Sequence, residues 1–300
     1  MRDFADFSAR EWIRFEPLQI AFKQLRNDAL LSVYRRLRTP RFNSFIKEVT
    51  PLKDRNIALV IAFEQPWALN WLLQMASLHL TDTTVLVFDN SRRAAARQEI
   101  EQVCRNHATP YLALPTNPTR HVNRSHGMAM TWVFYNVVRA IAPQRFAFID
   151  HDMIPIQKVS FSESLGNQPF YGFRRSKKGQ FWNLWAGYCL FDFSYVAEVP
   201  LNFLYDFSLE LDTGGRNWKP LYQKHDQSRM HFANNRFFTI RDPVSGSEHR
   251  VQVIDDQWLH IGGIGYNGNF AAKSEFYKNL AQALDQGISW SQVCRNKRAG

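Results

Sequence analysis

Short apolar runs alternate with longer amphipathic stretches through the middle of this chain. The apolar runs have the length of buried strands and lie at 57–62, 84–88, 111–114 and 146–149. The stretches between them have helical spacing and lie at 66–78, 93–107 and 127–141. Such alternation predicts an α/β fold with a mixed, mainly parallel sheet flanked by helices. Because ligands bind beyond the carboxyl ends of parallel strands, we expect a site among the residues that follow each strand.

The pattern divides the chain into four segments. It predicts a basic helical N-terminal extension, a nucleotide-binding half, an acceptor half and a C-terminal helical tail, at 1–55, 56–155, 156–270 and 271–300. The acceptor half is the least regular segment. Aromatic strands are expected there at 170–173 and 188–193, followed by loops and short helices.

The N-terminal extension contains a basic amphipathic helix. Residues 1–55 hold twelve Lys or Arg against seven acids. Apolar side chains recur at helical spacing at Leu18, Phe22, Leu25, Ala29, Val33 and Leu37. We expect this apolar face to pack on the main domain, and the alternative is docking on an anionic membrane surface or on a partner protein.

Composition and charge restrict the class of protein. No apolar stretch approaches the length of a membrane-spanning helix, and the N-terminus lacks the pattern of a signal peptide. Cys104, Cys189 and Cys294 are widely spaced, as expected of reduced thiols rather than of a disulfide framework. A cytoplasmic protein, in peripheral contact with a membrane at most, is therefore expected. The net charge of +10 favours anionic partners, although no nucleic-acid-binding motif is present and nucleic acid is not expected.

Two carboxylates, Asp150 and Asp152, follow the apolar run at 146–149. Side chains two apart in an extended chain project to the same side, so both carboxylates can bind one hard cation. Such a cation would neutralise charge on a diphosphate and improve a nucleoside diphosphate as a leaving group. A polar turn with acidic caps is the alternative for an isolated Asp-x-Asp.

Four segments, at 57–65, 85–91, 123–129 and 149–155, resemble in their order and spacing the GT-A class of nucleotide-sugar glycosyltransferases, most nearly the family 2 type. The resemblance covers residues 56–265. The resemblance implies a GT-A, Rossmann-like fold and a nucleotide-sugar donor. It places Asp89 against the base, with Ala62, Phe63 and Glu64 in the same pocket and Asp150 at the phosphates. Asn123, Ser125 and His126 would reach the ribose or phosphates, or Asn123 or Ser125 would instead cap a helix.

The resemblance also implies a third metal ligand and a general base. His260 is identified as the ligand, and imidazole with two carboxylates suits Mn²⁺ at least as well as Mg²⁺. A buried structural histidine is the alternative. The glycine-rich run 262–265 is expected to form a loop that closes over the donor phosphates. Asp212 is the expected base, with Glu210 in reserve, and a helix-capping role is the alternative for Asp212.

For the acceptor, the resemblance points to Trp185 and Gly187 before a strand, with Trp182 a weaker candidate. The basic run 174–179 is expected to be a solvated turn that can attract a phosphorylated or lipid-linked acceptor. The implied reaction is metal-dependent transfer of a sugar, from a UDP-sugar first of all, to a hydroxyl acceptor with inversion.

Two other functions are open at this point. One is nucleotidyl transfer, although Glu64-Gln65-Pro66 occupies the place of the usual phosphate loop after the first strand. The other is a non-catalytic binding module with a degenerate glycosyltransferase fold.

Overall fold

The first four predicted strands form the parallel part of a six-stranded sheet in the computed structural model, which describes residues 4–176, 181–262 and 270–293. The strands are β1 (Asn56–Ala62), β2 (Thr83–Asp89), β3 (Tyr111–Ala113), β4 (Arg145–Asp150), β5 (Met153–Pro155), β6 (Phe170–Ser176), β7 (Trp182–Asp192), β8 (Asn235–Arg241), β9 (Glu248–Ile254) and β10 (Trp258–His260). The helices are α1 (Ala9–Ile13), α2 (Glu16–Arg36), α3 (Phe42–Val49), α4 (Pro66–His79), α5 (Ala94–Asn106), α6 (Val122–Val133), α7 (Arg139–Ile141), α8 (Phe161–Leu165), α9 (Phe193–Val196), α10 (Phe270–Asp285) and α11 (Trp290–Val293).

The main sheet has the strand order β3-β2-β1-β4-β7-β6. The first four strands are parallel, whereas β7 runs antiparallel to both β4 and β6. In the register of β1, Ile61 lies opposite Asp150 and Ala62 lies opposite Asp89. The carboxyl ends of β1, β2 and β4 therefore meet at one edge. The mixed, mainly parallel sheet flanked by helices is confirmed.

A second, antiparallel sheet of order β5-β10-β9-β8 lies directly after the acidic motif. In it His260 pairs with Met153, the residue that follows Asp152. This pairing brings together residues that are about a hundred positions apart in the sequence.

The core occupies both faces of the main sheet because side chains alternate along each strand. Along β1, Ala58, Val60 and Ala62 join the apolar cluster beneath α4. Ile57, Leu59 and Ile61 join the cluster beneath α6, which contains Met128 and Trp132. The continuous apolar run at 57–62 is thus explained by a central strand that is buried on both sides.

The N-terminal extension is helical as predicted, but the expected packing of its apolar face is wrong. Helix α2 packs on the domain through Gln24, Asn27, Leu31 and Tyr34, all of which are buried. The predicted apolar face is exposed instead, with Phe22 66% and Leu25 70% accessible. The Tyr34 hydroxyl donates to the Pro115 carbonyl at 3.2 Å, which fixes the helix on its polar side.

Other differences concern element boundaries. The helix predicted at 127–141 begins at Val122 and passes through a π-helical turn, Phe134–Val138. Trp182 and Trp185 lie within β7 rather than before a strand, and β6 extends into the run predicted to be a turn. The β8–β9 hairpin had no counterpart in the prediction. Both predicted halves contribute to the main sheet, and the division into halves stays a prediction.

No helix among the described residues is both long and apolar enough to cross a membrane. Cys104 and Cys189 are buried free thiols. Cys294 and residues 177–179 and 263–265 of the sequence motifs lie outside the described residues.

Candidate functional site

A cavity opens at the sheet edge where β1 and β4 end. Its walls include predicted site residues from six separate parts of the chain, namely Phe63, Asn123, His126, Asp150, Asp152, Trp185, Asp212 and His260. Three arginines also line it: Arg92, Arg120 and Arg175. The cavity therefore combines carboxylates, imidazoles and guanidinium groups beyond the strand ends, where an open α/β sheet binds its ligands.

Asp150, Asp152 and His260 form a compact cluster in this cavity. One potential ligand atom from each residue lies within 4.8 Å of the other two. Asp150 ends β4, and Asp152 precedes β5 and is buried. The backbone N–H of Gly262 donates to Asp152 Oδ2 at 3.0 Å, and the Ile261 N–H donates to the Asp152 carbonyl at 3.0 Å. The strand that carries His260 thereby fixes the second carboxylate.

A hydrogen bond sets the orientation of the His260 ring. Its Nδ1 lies 2.6 Å from Gln252 Oε1, and Gln252 pairs with His260 across β9 and β10. A carboxamide oxygen only accepts, so Nδ1 donates to it, and Nε2 is the nitrogen left to bind a cation. Nε2 lies 3.8 Å from Asp152 Oδ2. This donor set of two carboxylates and one neutral imidazole fits Mn²⁺ or Mg²⁺.

The electrostatics of the cluster also favour a cation. Burial, and then the neighbouring charge of Asp152, raise the pKa of Asp150 above its usual range. His126 Nε2 is 3.3 Å from Asp150 Oδ1, but burial lowers the pKa of His126 to about 4, so at neutral pH it brings no compensating positive charge. Two adjacent carboxylates in a buried position are stabilised by a bound cation.

Gly187 and Trp185 form the wall behind this cluster. A Cβ atom on Gly187 would lie 2.5 Å from Asp150 Oδ2 and 2.3 Å from the Trp185 ring, so the close approach requires glycine. The Trp185 ring packs edge-on against His260 with centroids 4.7 Å apart. Gly187 thus positions a carboxylate, whereas Trp185 faces the cavity. Trp182 is buried in the core against Tyr222.

Three of the six predicted nucleotide-binding residues, Phe63, Asn123 and Asp150, reach the cavity, whereas Ala62, Glu64 and Asp89 lie behind its wall. Asp89 is fully buried, and its oxygens accept from the Ser91 N–H at 2.8 Å and the Tyr111 hydroxyl at 2.9 Å. The structure therefore does not bring Asp89 to the cavity. Ala62 accepts from the Asn90 N–H through its carbonyl at 2.9 Å and so helps to hold the same turn.

Glu64 organises the loop after β2. Its Oε1 accepts from the Arg92 and Arg93 N–H groups at 2.7 and 3.0 Å, and its Oε2 pairs with the Arg93 guanidinium. Burial acts to raise the pKa of Glu64, but these hydrogen bonds hold it below the usual value. By fixing this loop, Glu64 places Arg92 on the cavity wall.

Asp212 also lines the cavity, in a loop held by hydrogen bonds. Its Oδ1 accepts from the Thr213 N–H at 2.8 Å and from Asn123 Nδ2 at 3.3 Å. Arg175 pairs with Oδ2 at 2.9 Å. The capping interpretations are wrong, because His121 precedes α6 as its N-cap and Gly214 precedes the following 3₁₀ turn. Glu210 lines a neighbouring groove instead of the cavity.

The sequence analysis missed the cationic side of the site. Arg92 and Arg120 were not singled out, and Arg175 was assigned to a solvated turn, yet all three line the cavity. Arg175 lies in β6, and its guanidinium is 5.7 Å from the Trp185 ring centroid. The position of Arg175 depends on the pairing of β6 with β7, and a local sequence pattern does not predict that pairing. Gln252 was missed for the same reason, since its partner His260 is on another strand.

No protein family and no curated protein matches this chain. Among solved structures, it is similar to the apo WbbM bifunctional glycosyltransferase, with a TM-score of 0.35 and 12% identity over 49% of this chain and 33% of that chain. It is also similar to S. aureus TarS, with a TM-score of 0.34 and 13% identity over 50% and 30% of the two chains. A second structure, S. aureus TarS 1-349, has a TM-score of 0.33 and 11% identity over 50% of each chain.

The chain thus spans between 30% and 50% of the length of these solved proteins. All three TM-scores lie below 0.5, so these similarities do not indicate a function.

Proposed function

We propose that this protein is a divalent-metal-dependent glycosyltransferase of the GT-A type, which transfers a sugar from a nucleoside-diphosphate sugar to a hydroxyl acceptor with inversion. The observation that carries this proposal is the convergence of Asp150, Asp152 and His260 in a cavity that also holds three arginines and Asp212. A UDP-sugar is the first donor to test.

Asp150, Asp152 and His260 would hold Mn²⁺ or Mg²⁺. The bound ion would neutralise charge on the diphosphate and so stabilise the departing nucleoside diphosphate. Arg92 and Arg120 line the same cavity and supply guanidinium groups for the remaining phosphate oxygens. Phe63 offers a ring face to the base, which is a second recognition element for a nucleotide.

Asp212 would act as the general base. In the proposed reaction, the acceptor oxygen forms a bond to the anomeric carbon, the bond from that carbon to the phosphate oxygen breaks, and Asp212 takes the acceptor proton. Thr213 and Asn123 hold Oδ1, while Oδ2 pairs with Arg175. Transfer of Arg175 from Asp212 to a donor phosphate would free Oδ2 for this proton.

The acceptor would approach along the neighbouring groove. This groove includes Asp212 and Arg175 and is bordered by Phe173, Tyr205 and Phe207. Aromatic rings beside a carboxylate suit a sugar-containing acceptor, because rings stack on sugar faces while the carboxylate accepts hydroxyl protons.

The proposal is tested by product analysis with a panel of UDP-, GDP- and dTDP-sugars, with and without Mn²⁺. We expect one donor to release its nucleoside diphosphate only when the metal is present. Asp212→Asn should lower the turnover number by about 100-fold to 10,000-fold, as expected for loss of a general base. Asp226→Asn, at an exposed carboxylate outside both the cavity and the groove, is the matched control and should remain active.

Three results would contradict the proposal. Release of pyrophosphate would indicate nucleotidyl transfer instead. Release of the nucleoside diphosphate without metal would show that Asp150, Asp152 and His260 do not act by holding a metal ion. Absence of both donor binding and turnover across the panel would favour a non-catalytic module.

A further inference from the structure

The N-terminal helices present an apolar surface to solvent. Nine of the fifteen exposed large hydrophobic side chains among the described residues lie between Phe4 and Leu37. On α2, Leu18, Phe22, Leu25, Ala29 and Val33 follow one another at intervals of four, three, four and four residues. This spacing places them on one side of the helix. We call these five residues the outer stripe.

The opposite side of α2 is fixed to the domain by polar contacts. Gln24 donates to Asp206 at 3.3 Å, Asp28 pairs with Arg216, and Asn27 is fully buried. Rotating the outer stripe inward would break these contacts and replace polar side chains by apolar ones at the interface. The outer stripe is exposed because α2 packs on the domain through its other face. Only a surface outside this chain's own fold can cover the stripe.

Charge distinguishes among the surfaces that could cover it. Arg26 and Arg36 are exposed beside the outer stripe, and Lys23 is exposed on the side of α2 that faces the domain. The acids of the same helix are already paired, Glu16 with Arg14 at 3.8 Å and Asp28 with Arg216. In α1, Trp12 and Ile13 add exposed apolar side chains between Arg10 and Arg14. An apolar stripe with an aromatic ring and flanking cations is complementary to an anionic lipid surface.

We propose that the outer stripe of α2, with α1, docks on an anionic phospholipid membrane. The apolar side chains would enter the boundary between headgroups and acyl chains, and the basic side chains would contact lipid phosphates. Lys23 Nζ lies 5.8 Å from the ring centroid of Phe207, which borders the groove leading to Asp212. If the proposed function is correct, docking would therefore bring the acceptor groove near lipid-linked hydroxyl acceptors.

The test is sedimentation of the full chain with vesicles, and it requires no turnover. Vesicles of equal parts phosphatidylcholine and phosphatidylglycerol should bind the protein, and pure phosphatidylcholine should bind it much less. The double substitution Phe22→Ser and Leu25→Ser should weaken binding at least about tenfold, because it removes the apolar contacts. Arg26→Gln with Arg36→Gln should weaken binding to a degree that decreases as salt is added.

Leu78→Ser is the matched control, because Leu78 is an equally exposed leucine on α4. It should leave vesicle binding unchanged. Circular dichroism should show the same melting for all variants, since each changed side chain is exposed. Equal vesicle binding by the Phe22/Leu25 variant and the wild type would overturn the proposal, as would no binding of the wild type. A lipid-free dimer that is lost in the same variant would show that a second copy covers the stripe instead.

Discussion

At the scale of single residues, the properties of the site depend on which nitrogen of His260 is protonated. Gln252 accepts from Nδ1, and Nε2 is thereby the nitrogen left to bind a cation. Gln252→Leu keeps the size of the side chain but removes the acceptor, so both the tautomer and the ring orientation become free. We expect this change to weaken Mn²⁺ binding by about 10-fold to 100-fold.

Isothermal titration of the protein with MnCl₂ measures this effect. Gln282→Leu is a control of the same chemistry on the exposed face of α10. If Gln252→Leu bound Mn²⁺ as tightly as the control, His260 would not be a ligand fixed by Gln252.

The sequence identified the residues whose roles follow from local pattern. Asp150 and Asp152 stand two apart after an apolar run, so their shared direction is a property of extended backbone. The roles of Asp89 and Arg175 could not be predicted in this way. Asp89 ends its strand as expected, but Tyr111 on β3 occupies one of its oxygens. Arg175 reaches the cavity only because β6 continues beyond the predicted strand.

At the scale of elements, Asp82 connects the start of the sheet to α8. Its carboxylate accepts from the Phe161 and Ser162 N–H groups at 3.0 Å each, and from Asn56 Nδ2 in β1 at 3.0 Å. Partial burial acts to raise its pKa, but these hydrogen bonds, those from the Ser162 backbone foremost, lower the pKa to about 2. The carboxylate form thus stabilises the folded state.

This shift predicts a pH-dependent effect of Asp82→Asn on the free energy of unfolding. Because the folded pKa lies below the unfolded value, the contribution of Asp82 is complete above the unfolded pKa of 3.8 and is lost as pH falls through about 2. We expect Asp82→Asn to destabilise the fold by about 1–2 kcal/mol at neutral pH, after allowance for the solvent screening of a half-buried group.

Urea unfolding of both proteins across this pH range checks the sign. The difference in free energy of unfolding between the wild type and Asp82→Asn should become smaller as the pH is lowered. A difference that is constant with pH would show that Asp82 acts through packing rather than through its charge.

The elements were predicted well where one periodicity dominates. The run at 57–62 has the length of a strand buried on both faces, and the structure has β1 there. Helix α2 was predicted correctly as a helix, but the face that was expected to pack inward is exposed. The prediction took the more apolar face as the packed face, whereas the face that packs on the domain contains polar residues. The packed face uses Gln24 and Asn27, and polar residues of this kind give no signal of burial in a sequence.

At the scale of the whole molecule, the candidate metal site depends on the junction of two sheets. The parallel sheet supplies Asp150 at the end of β4, and the antiparallel sheet returns the chain from β9 through β10 to place His260 beside Asp152. Pairings between distant strands set this geometry. The resemblance located His260 in the sequence, but only the fold explains how it meets the two carboxylates.

The central claim is that this junction binds a divalent cation that in turn holds a nucleotide-sugar. The most direct test is calorimetric titration of a UDP-sugar into the wild type and Asp152→Ala, each with Mn²⁺ or with EDTA. Asp226→Ala, at an exposed carboxylate outside the cavity, is the control. We predict that donor binding requires Mn²⁺ and weakens by more than about 100-fold in Asp152→Ala alone. Equal affinity with Mn²⁺ and with EDTA, or unchanged affinity in folded Asp152→Ala, would contradict the claim.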